Sequence, residues 1–235
     1  VDYVFNQVAR ESQFQNANRL TTTLDGRLQR AGQDILDKQV ANLKTRNVHN
    51  GALLVVDHVT NDVIAWAVAG SEDSGAPGVL IDAVTTPRQP GSTLKPFVYA
   101  MALEKDWTAS TLIDDAPLAE WVGAGLHSYH NYSRSFYGKV TVREALGNSL
   151  NIPAVKALQF VGVEPFIDRL HRLGIDSLRE HPSFYGDGLA LGNGEVTLLE
   201  LVSAYSVLAR GGVNRPLSVF KREDAPEKQR VFSPE

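Results

Sequence analysis

The sequence predicts an α/β domain of the α+β kind, a β-hairpin near its start followed by a largely helical body. Three observations predict it. Two β-rich runs, Ala52–Val56 and Val63–Val68, flank a polar Asp-His-Val-Thr-Asn-Asp turn, which is the pattern of a hairpin. Helical spacing of apolar residues then takes over, after Lys95, in Pro165–Leu173 and in Thr197–Arg210. The composition is that of an ordinary globular chain, with 43% apolar and 21% charged residues in 235, enough length for a sizeable core.

Residues 1–20 are polar and weakly patterned. Thr23 to Leu43 reads as a helix with Leu28, Ala31, Ile35, Leu36, Val40 and Leu43 roughly on one side, and with Thr23 or Asp25 as its N-cap. Residues 70–90 bear Gly and Pro and read as a loop. Arg88-Gln89-Pro90-Gly91 makes a turn, a helix begins near Ser92, and Pro96 is tolerable in its first turn. Phe97, Val98, Ala100, Met101 and Leu103 then suit a buried helix. Thr141–Leu146 and Ala154–Leu158 are short helical segments, and Pro153 argues against one helix running through both. The Thr197–Arg210 helix ends at Gly211-Gly212. There is no repeat and no low-complexity tract. A two-stranded hairpin is marginal alone, so the helices must prop it or a further piece must complete it, and its free edge is expected to be unpaired.

Composition also excludes. A net charge of -4 gives no reason to expect nucleic acid or an anionic surface as partner. With no cysteine there are no disulfides and no thiolate metal sites. No apolar run approaches the roughly 20 residues that span a bilayer, and no signal sequence is visible. His127 and His130 stand three apart with no evident third ligand, whereas zinc needs three or four, so neither metal nor cofactor is expected. Asp114-Asp115 reads as a solvated turn, since adjacent carboxylates cannot easily face one substrate. Trp66, Trp107 and Trp121 read as packing residues. Gly192-Asn193-Gly194 is too short for a phosphate cradle.

Chemistry is concentrated in Gly91-Ser92-Thr93-Leu94-Lys95-Pro96-Phe97. On a helix, positions i and i+3 share a face, so the Ser92 hydroxyl and the Lys95 amine can meet. An amine able to shed its charge is a general base, and a serine beside it becomes a nucleophile. Ser218-Val219-Phe220-Lys221 has the same spacing but runs into Lys221-Arg222-Glu223-Asp224, with no apolar helix to hold it. Downstream, Ser149-Leu150-Asn151 is the one Ser-x-Asn of the sequence. Its hydroxyl and carboxamide could pass a proton and grip a substrate amide, or could simply cap and turn the backbone. Asn131 as a bare residue reads as a turn former.

Ser-x-x-Lys followed by Ser-x-Asn is the motif order of penicillin-binding proteins and serine β-lactamases. The surrounding text narrows this. Arg88 to Phe97 closely resembles the nucleophile segment of the high-molecular-mass penicillin-binding proteins. Thr22-Thr23-Leu24-Asp25, Gly51 to Asp57, Asn131-Tyr132, Gly138 to Thr141, Ser149 to Val155 and Leu191 to Thr197 resemble successive parts of their transpeptidase domain, in the right order. The chain is identified as similar to the class A members, with the 1C branch nearest in pattern. The resemblance implies residues 1–45 as a leading linker segment with a helix and 46–235 as the transpeptidase domain, with the penicillin-binding protein/β-lactamase-like fold. The family's third motif, Lys-Thr-Gly or Lys-Ser-Gly, does not occur. The one Lys-Thr pair is Lys44-Thr45, so the domain reads as truncated before that motif and impaired by itself.

The resemblance further implies a peptidoglycan D,D-transpeptidase, of the serine D-alanyl-D-alanine transpeptidase/carboxypeptidase class. Ser92 would be the nucleophile, Lys95 the base, Ser149 a proton relay, and Asn151 and Asn131 substrate contacts. Stem peptides and β-lactams would be its ligands. It would lie on the periplasmic side of the bacterial cytoplasmic membrane, anchored by a segment outside these residues, in a parent also bearing a glycosyltransferase. Two alternatives stay open: a serine β-lactamase, which would need a Glu-x-x-Leu-Asn segment not seen here, and a non-catalytic penicillin- or wall-binding module.

Overall fold

Asn50–Val56 (β1) and Val63–Gly70 (β2) pair antiparallel, Asn50 opposite Gly70 through Val55 opposite Ala65, with an irregularity at Val56. The computed structural model describes residues 20–70, 81–122, 125–221 and 227–234. The polar leading segment 1–19, positions 71–80 of the expected loop and 222–224 of the charged run lie outside the described residues. One compact unit gathers the described residues up to Thr86 with those from Arg215 to Gln229; a second gathers Pro87–Asn214 with those from Arg230 onward.

In the first unit the helix α1 is Gly26–Asn42. Its N-cap is Asp25, whose carboxylate accepts from Arg27 N and Leu28 N. It packs on the hairpin with Gly32 against Leu53 and with Leu36 and Val40 against Gly51. Gly51 and Leu53 stand opposite Ala69 and Ala67, so this is the face of the buried small residues Ala65, Ala67 and Ala69. The expected apolar side of this helix is therefore only half right: Leu36 and Val40 pack, but Leu28 and Ile35 are exposed. The reason is polar. The Gln29 amide exchanges two hydrogen bonds with the Trp66 backbone, donating to its O and accepting from its N, each at 2.8 Å. Gln33 donates to Val68 O, and Asp25 N donates to Ile64 O. The outer edge of β2 is thus satisfied by one helix and its cap.

The second unit holds the larger core. Lys95–Glu104 (α2) buries Phe97, Val98, Tyr99, Met101 and Ala102, and Asn151–Val161 (α4) buries seven side chains. Helices apolar on nearly every side belong inside, and these two pack on each other. Leu112–Asp115 (β3) pairs antiparallel with Gly138–Thr141 (β6), and Leu118–Val122 (β4) with Gly125–Tyr129 (β5). Val142–Gly147 (α3) starts at Thr141 with a capping box to Glu144. The chain then breaks at Asn148–Leu150 and restarts as α4, with Pro153 inside the first turn where no N–H is needed. Val163–Arg172 (α5) and a single turn at Pro182–Tyr185 (α6) follow. Leu198–Ala209 (α7) is capped by Thr197 and Glu200 in a second box. Apart from the α6 turn, the helices lie where their apolar spacing puts them; the four short strands β3 to β6 had no such spacing to announce them.

Candidate active site

The first turns of α2 and α4 meet, and the motif residues stand on them. The nucleophile segment enters through a backbone pair: Arg88 N donates to Val196 O and Val196 N to Arg88 O, both at 2.9 Å. Gly91–Leu94 forms a 3₁₀ turn that passes without a break into α2, Pro90, Leu94 and Lys95 all being right-handed helical. Gly192, at φ 74°, presses on this turn so closely that a Cβ would lie 2.3 Å from Gly91 N, so both its φ and its contact demand glycine. The Tyr205 hydroxyl of α7 donates to Thr93 O at 2.8 Å. The turn carrying Ser92 is clamped from two sides.

Lys95 is 1% exposed. Its ammonium has three donors and no acceptor, and all three find oxygens: Ser149 O at 2.6 Å, Asn151 Oδ1 at 2.7 Å and Ser149 Oγ at 3.2 Å. Burial pulls its pKa from 10.5 down to about 8. About a tenth of the amine is then neutral at pH 7, against a negligible fraction for an exposed lysine. Ser149 takes a left-handed φ of 52°, which costs about 1 kcal/mol in a non-glycine residue. The Lys95 bonds to its carbonyl and hydroxyl help hold it there, and strained backbone of this kind gathers at functional sites.

Ser149, Asn151 and Lys95 are therefore in contact. Ser92 shares their helix turn with Lys95, but its exposed hydroxyl makes no hydrogen bond among the described residues. Asn131 is 3% exposed and stands behind the site rather than in open space. Its Nδ2 donates to both Asp115 oxygens and to Ser135 O, and its Oδ1 accepts from Asn151 N at 2.8 Å. Asp115 corrects the reading of Asp114-Asp115 as a solvated turn. The pair lies on β3, where successive side chains face opposite ways, so Asp114 is exposed and Asp115 is 0% exposed. The second Ser-x-x-Lys is structural. Ser218 is buried, its hydroxyl donates to Phe220 O at 2.7 Å, and its carbonyl accepts from Val63 N. His127 stacks edge-on against Tyr129, and His130 lends its carbonyl to Asn151 Nδ2. A cavity of about 430 Å³, within the range of small-molecule sites, opens beside Ser149 between Tyr132, Tyr137, Glu144 and Asn148.

Residues 51–235 match the family described as the penicillin binding protein transpeptidase domain. The chain belongs to that family. Penicillin-binding protein 1C of Escherichia coli is 31% identical over 197 residues, covering 83% of this chain and 25% of the relative. Penicillin-binding protein 1A of Neisseria meningitidis serogroup A is 37% identical over 165 residues, covering 69% of this chain and 20% of the relative. The crystal structure of penicillin-binding protein 1A from Haemophilus influenzae superposes with a TM-score of 0.66 at 28% identity, covering 74% of this chain and 25% of that one. These are class A proteins, and the mixed helices and antiparallel strands are those of the penicillin-binding transpeptidase fold. The chain spans a quarter or less of the length of these relatives. No helix among the described residues is long and apolar enough to cross a membrane.

Proposed function

We propose that this transpeptidase domain works by a serine acyl-enzyme on D-alanyl-D-alanine stem peptides, and that residues 46–235 form the domain that does so. Neutral Lys95 takes the proton of Ser92 Oγ as the oxygen bonds to the carbonyl carbon between the two D-alanines. Collapse of the tetrahedral centre breaks the C–N bond, and D-alanine leaves with a proton passed from Lys95 by way of Ser149 Oγ. An amine of a second stem peptide then attacks the ester, the new amide forms, and Ser92 Oγ departs and regains its proton. The Ser92 amide, in the first turn of a helix where N–H groups lack intrahelical partners, supplies one donor to the oxyanion. Asn151 holds the substrate amide. A β-lactam presents a similar carbonyl and remains as a slow ester.

The observation that carries this reading is the Lys95 amine, fully buried, poised near pH 8 and in contact with the Ser149 hydroxyl. Further proposals rest on the relatives alone: a membrane-anchored parent with its catalytic part on the periplasmic side, and a glycosyltransferase in the same protein. A second reading, a non-catalytic penicillin- or wall-binding module, has one observation in its favour, the Ser92 hydroxyl without a bond to Lys95. Fluorescent-penicillin labelling of the full-length protein separates the two. Ser92→Ala should abolish the label and Ser218→Ala should keep it. Label lost with Ser218→Ala, or retained with Ser92→Ala, would overturn the assignment.

A further inference from the structure

We propose that Asp115 is a positioning residue for the Ser92–Lys95 site, holding the wall over the Lys95 amine through Asn131 and Asn151. The assignment rests on Lys95 as the base of the proposed reaction. A carboxylate with no access to water is costly unless hydrogen bonds replace its hydration. Asp115 accepts three: Asn131 Nδ2 lies 2.9 and 2.8 Å from its two oxygens, and Tyr137 N donates at 2.9 Å. Among the described residues no cation pairs with it. An asparagine amide can be turned either way with little change in shape. Facing a carboxylate it cannot: the NH₂ must point at Asp115 and the oxygen away.

That oxygen is what α4 needs. Its N-cap, Leu150, offers no side-chain bond, so the first amides of the helix would lack partners. Asn131 Oδ1 accepts from Asn151 N at 2.8 Å and Ile152 N at 3.4 Å, capping the helix from twenty residues upstream. With its backbone held, Asn151 aims Oδ1 at Lys95 Nζ, 2.7 Å away. The path from carboxylate to amine is thus Asp115, Asn131, Asn151, Lys95, each link a hydrogen bond. Tyr99 also feels the Asp115 charge. It follows Lys95 by one turn on α2, so the two share a side of the helix. The Tyr99 hydroxyl is held protonated by burial first and then by the Asp115 charge.

The wall matters because burial is what lowers the Lys95 pKa. If Asn131 loses its orientation, the first turn of α4 loosens, water reaches the amine, and its titration moves back toward that of a free lysine. In Asp115→Asn one acceptor oxygen must serve two donor groups, and an NH₂ faces an NH₂. The exchanged pair Asp115→Asn/Asn131→Asp restores an amide-to-carboxylate bond between the two positions. It also leaves an oxygen at position 131 for α4 and an acceptor at position 115 for Tyr137 N, but it turns a carboxylate oxygen toward Ser135 O, to which Asn131 Nδ2 donates in the parent.

The test is an NMR titration of ¹³C-lysine-labelled protein, following the Lys95 ε-carbon from pH 6 to 11, with thermal melting run beside it. Asp115→Asn should raise the Lys95 midpoint by about one unit, and the exchanged pair should bring it back toward the parent's value. A midpoint unchanged in Asp115→Asn, even with a lower melting temperature, would reduce Asp115 to a structural residue. Should Asp115→Asn not fold, Asn131→Ala decides: it removes the oxygen that caps α4, so a raised Lys95 midpoint supports the proposal and the parent's midpoint overturns it. The readout is a proton on Lys95 and not a label on Ser92, so failure of the acyl-enzyme reading would be seen separately.

Discussion

Lys95 should make this protein more stable in mild alkali than at neutrality, against the usual trend. Its folded pKa is about 8 and its unfolded value 10.5. Between those values the unfolded chain binds more protons than the folded one, so stability rises with pH across that window. Below about pH 8 both states hold the proton, and the folded state bears the whole penalty of a buried ammonium. At about 1.4 kcal/mol per pKa unit, the gap amounts to about 3 kcal/mol. Most of it, about 2.5 kcal/mol, should be recovered between pH 7 and pH 10. Tyr99, Tyr129 and Tyr205 work in the opposite direction. Burial raises all three, Tyr129 to about 12, so their unfolded forms lose protons first and stability falls as pH passes about 10. A control with the same tyrosines is therefore needed, and Lys95→Met provides it. Urea unfolding of both proteins at pH 7 and pH 10 gives two differences; the parent should gain about 2.5 kcal/mol relative to Lys95→Met. Parallel pH dependences would show that the amine is not depressed by burial, and Lys95 would then be no base at neutral pH.

Gly192→Ala should destabilise the protein by more than about 2 kcal/mol, since a Cβ there meets the Gly91 backbone at 2.3 Å as well as carrying a positive φ. Gly91→Ala, with a φ of 59° and nothing within 4 Å, should cost only the backbone term of about 1 kcal/mol; equal midpoints in urea for the two variants would refute the clamp on the nucleophile turn. Glu200→Ala should cost about 2–4 kcal/mol. Its carboxylate accepts from Thr197 N and Thr197 Oγ1 at the start of α7 and from Asp176 N, Ser177 N and Ser177 Oγ beyond it. A loss under about 1 kcal/mol in chemical denaturation would show those donors finding water instead.

The parts of this molecule legible in the sequence are those with a short-range signature. Ser92 and Lys95, three apart on a helix, and Ser149 and Asn151, two apart at a helix break, announce themselves by spacing. The Thr197 start and the Pro153 restart follow from capping and ring chemistry. The packing face of α1 did not follow from apolar spacing, because Gln29 and Gln33 choose it by bonding to the open edge of β2, and that edge lies more than thirty residues away in sequence. Asp115 was hidden for a related reason. A four-residue strand shows too little alternation to be seen, and a neighbouring Asp114 disguises the pair as solvent-facing. Its partners, Asn131 and the Tyr137 amide, come from a segment with no regular pattern. Long-range polar pairing leaves no periodic trace, and here it supports the catalytic candidates that spacing could find.

The proposed reaction makes a covalent bond to one oxygen. Full-length protein incubated with benzylpenicillin, digested and analysed by mass spectrometry locates that bond directly. The penicilloyl group is expected on the peptide carrying Ser92, at its hydroxyl, formed ~10²–10⁴-fold more slowly in Lys95→Arg, whose guanidinium cannot act as a base. An adduct on another residue, a Ser92 peptide left unmodified, or a Lys95→Arg variant acylated within a few-fold of the parent's rate would contradict it.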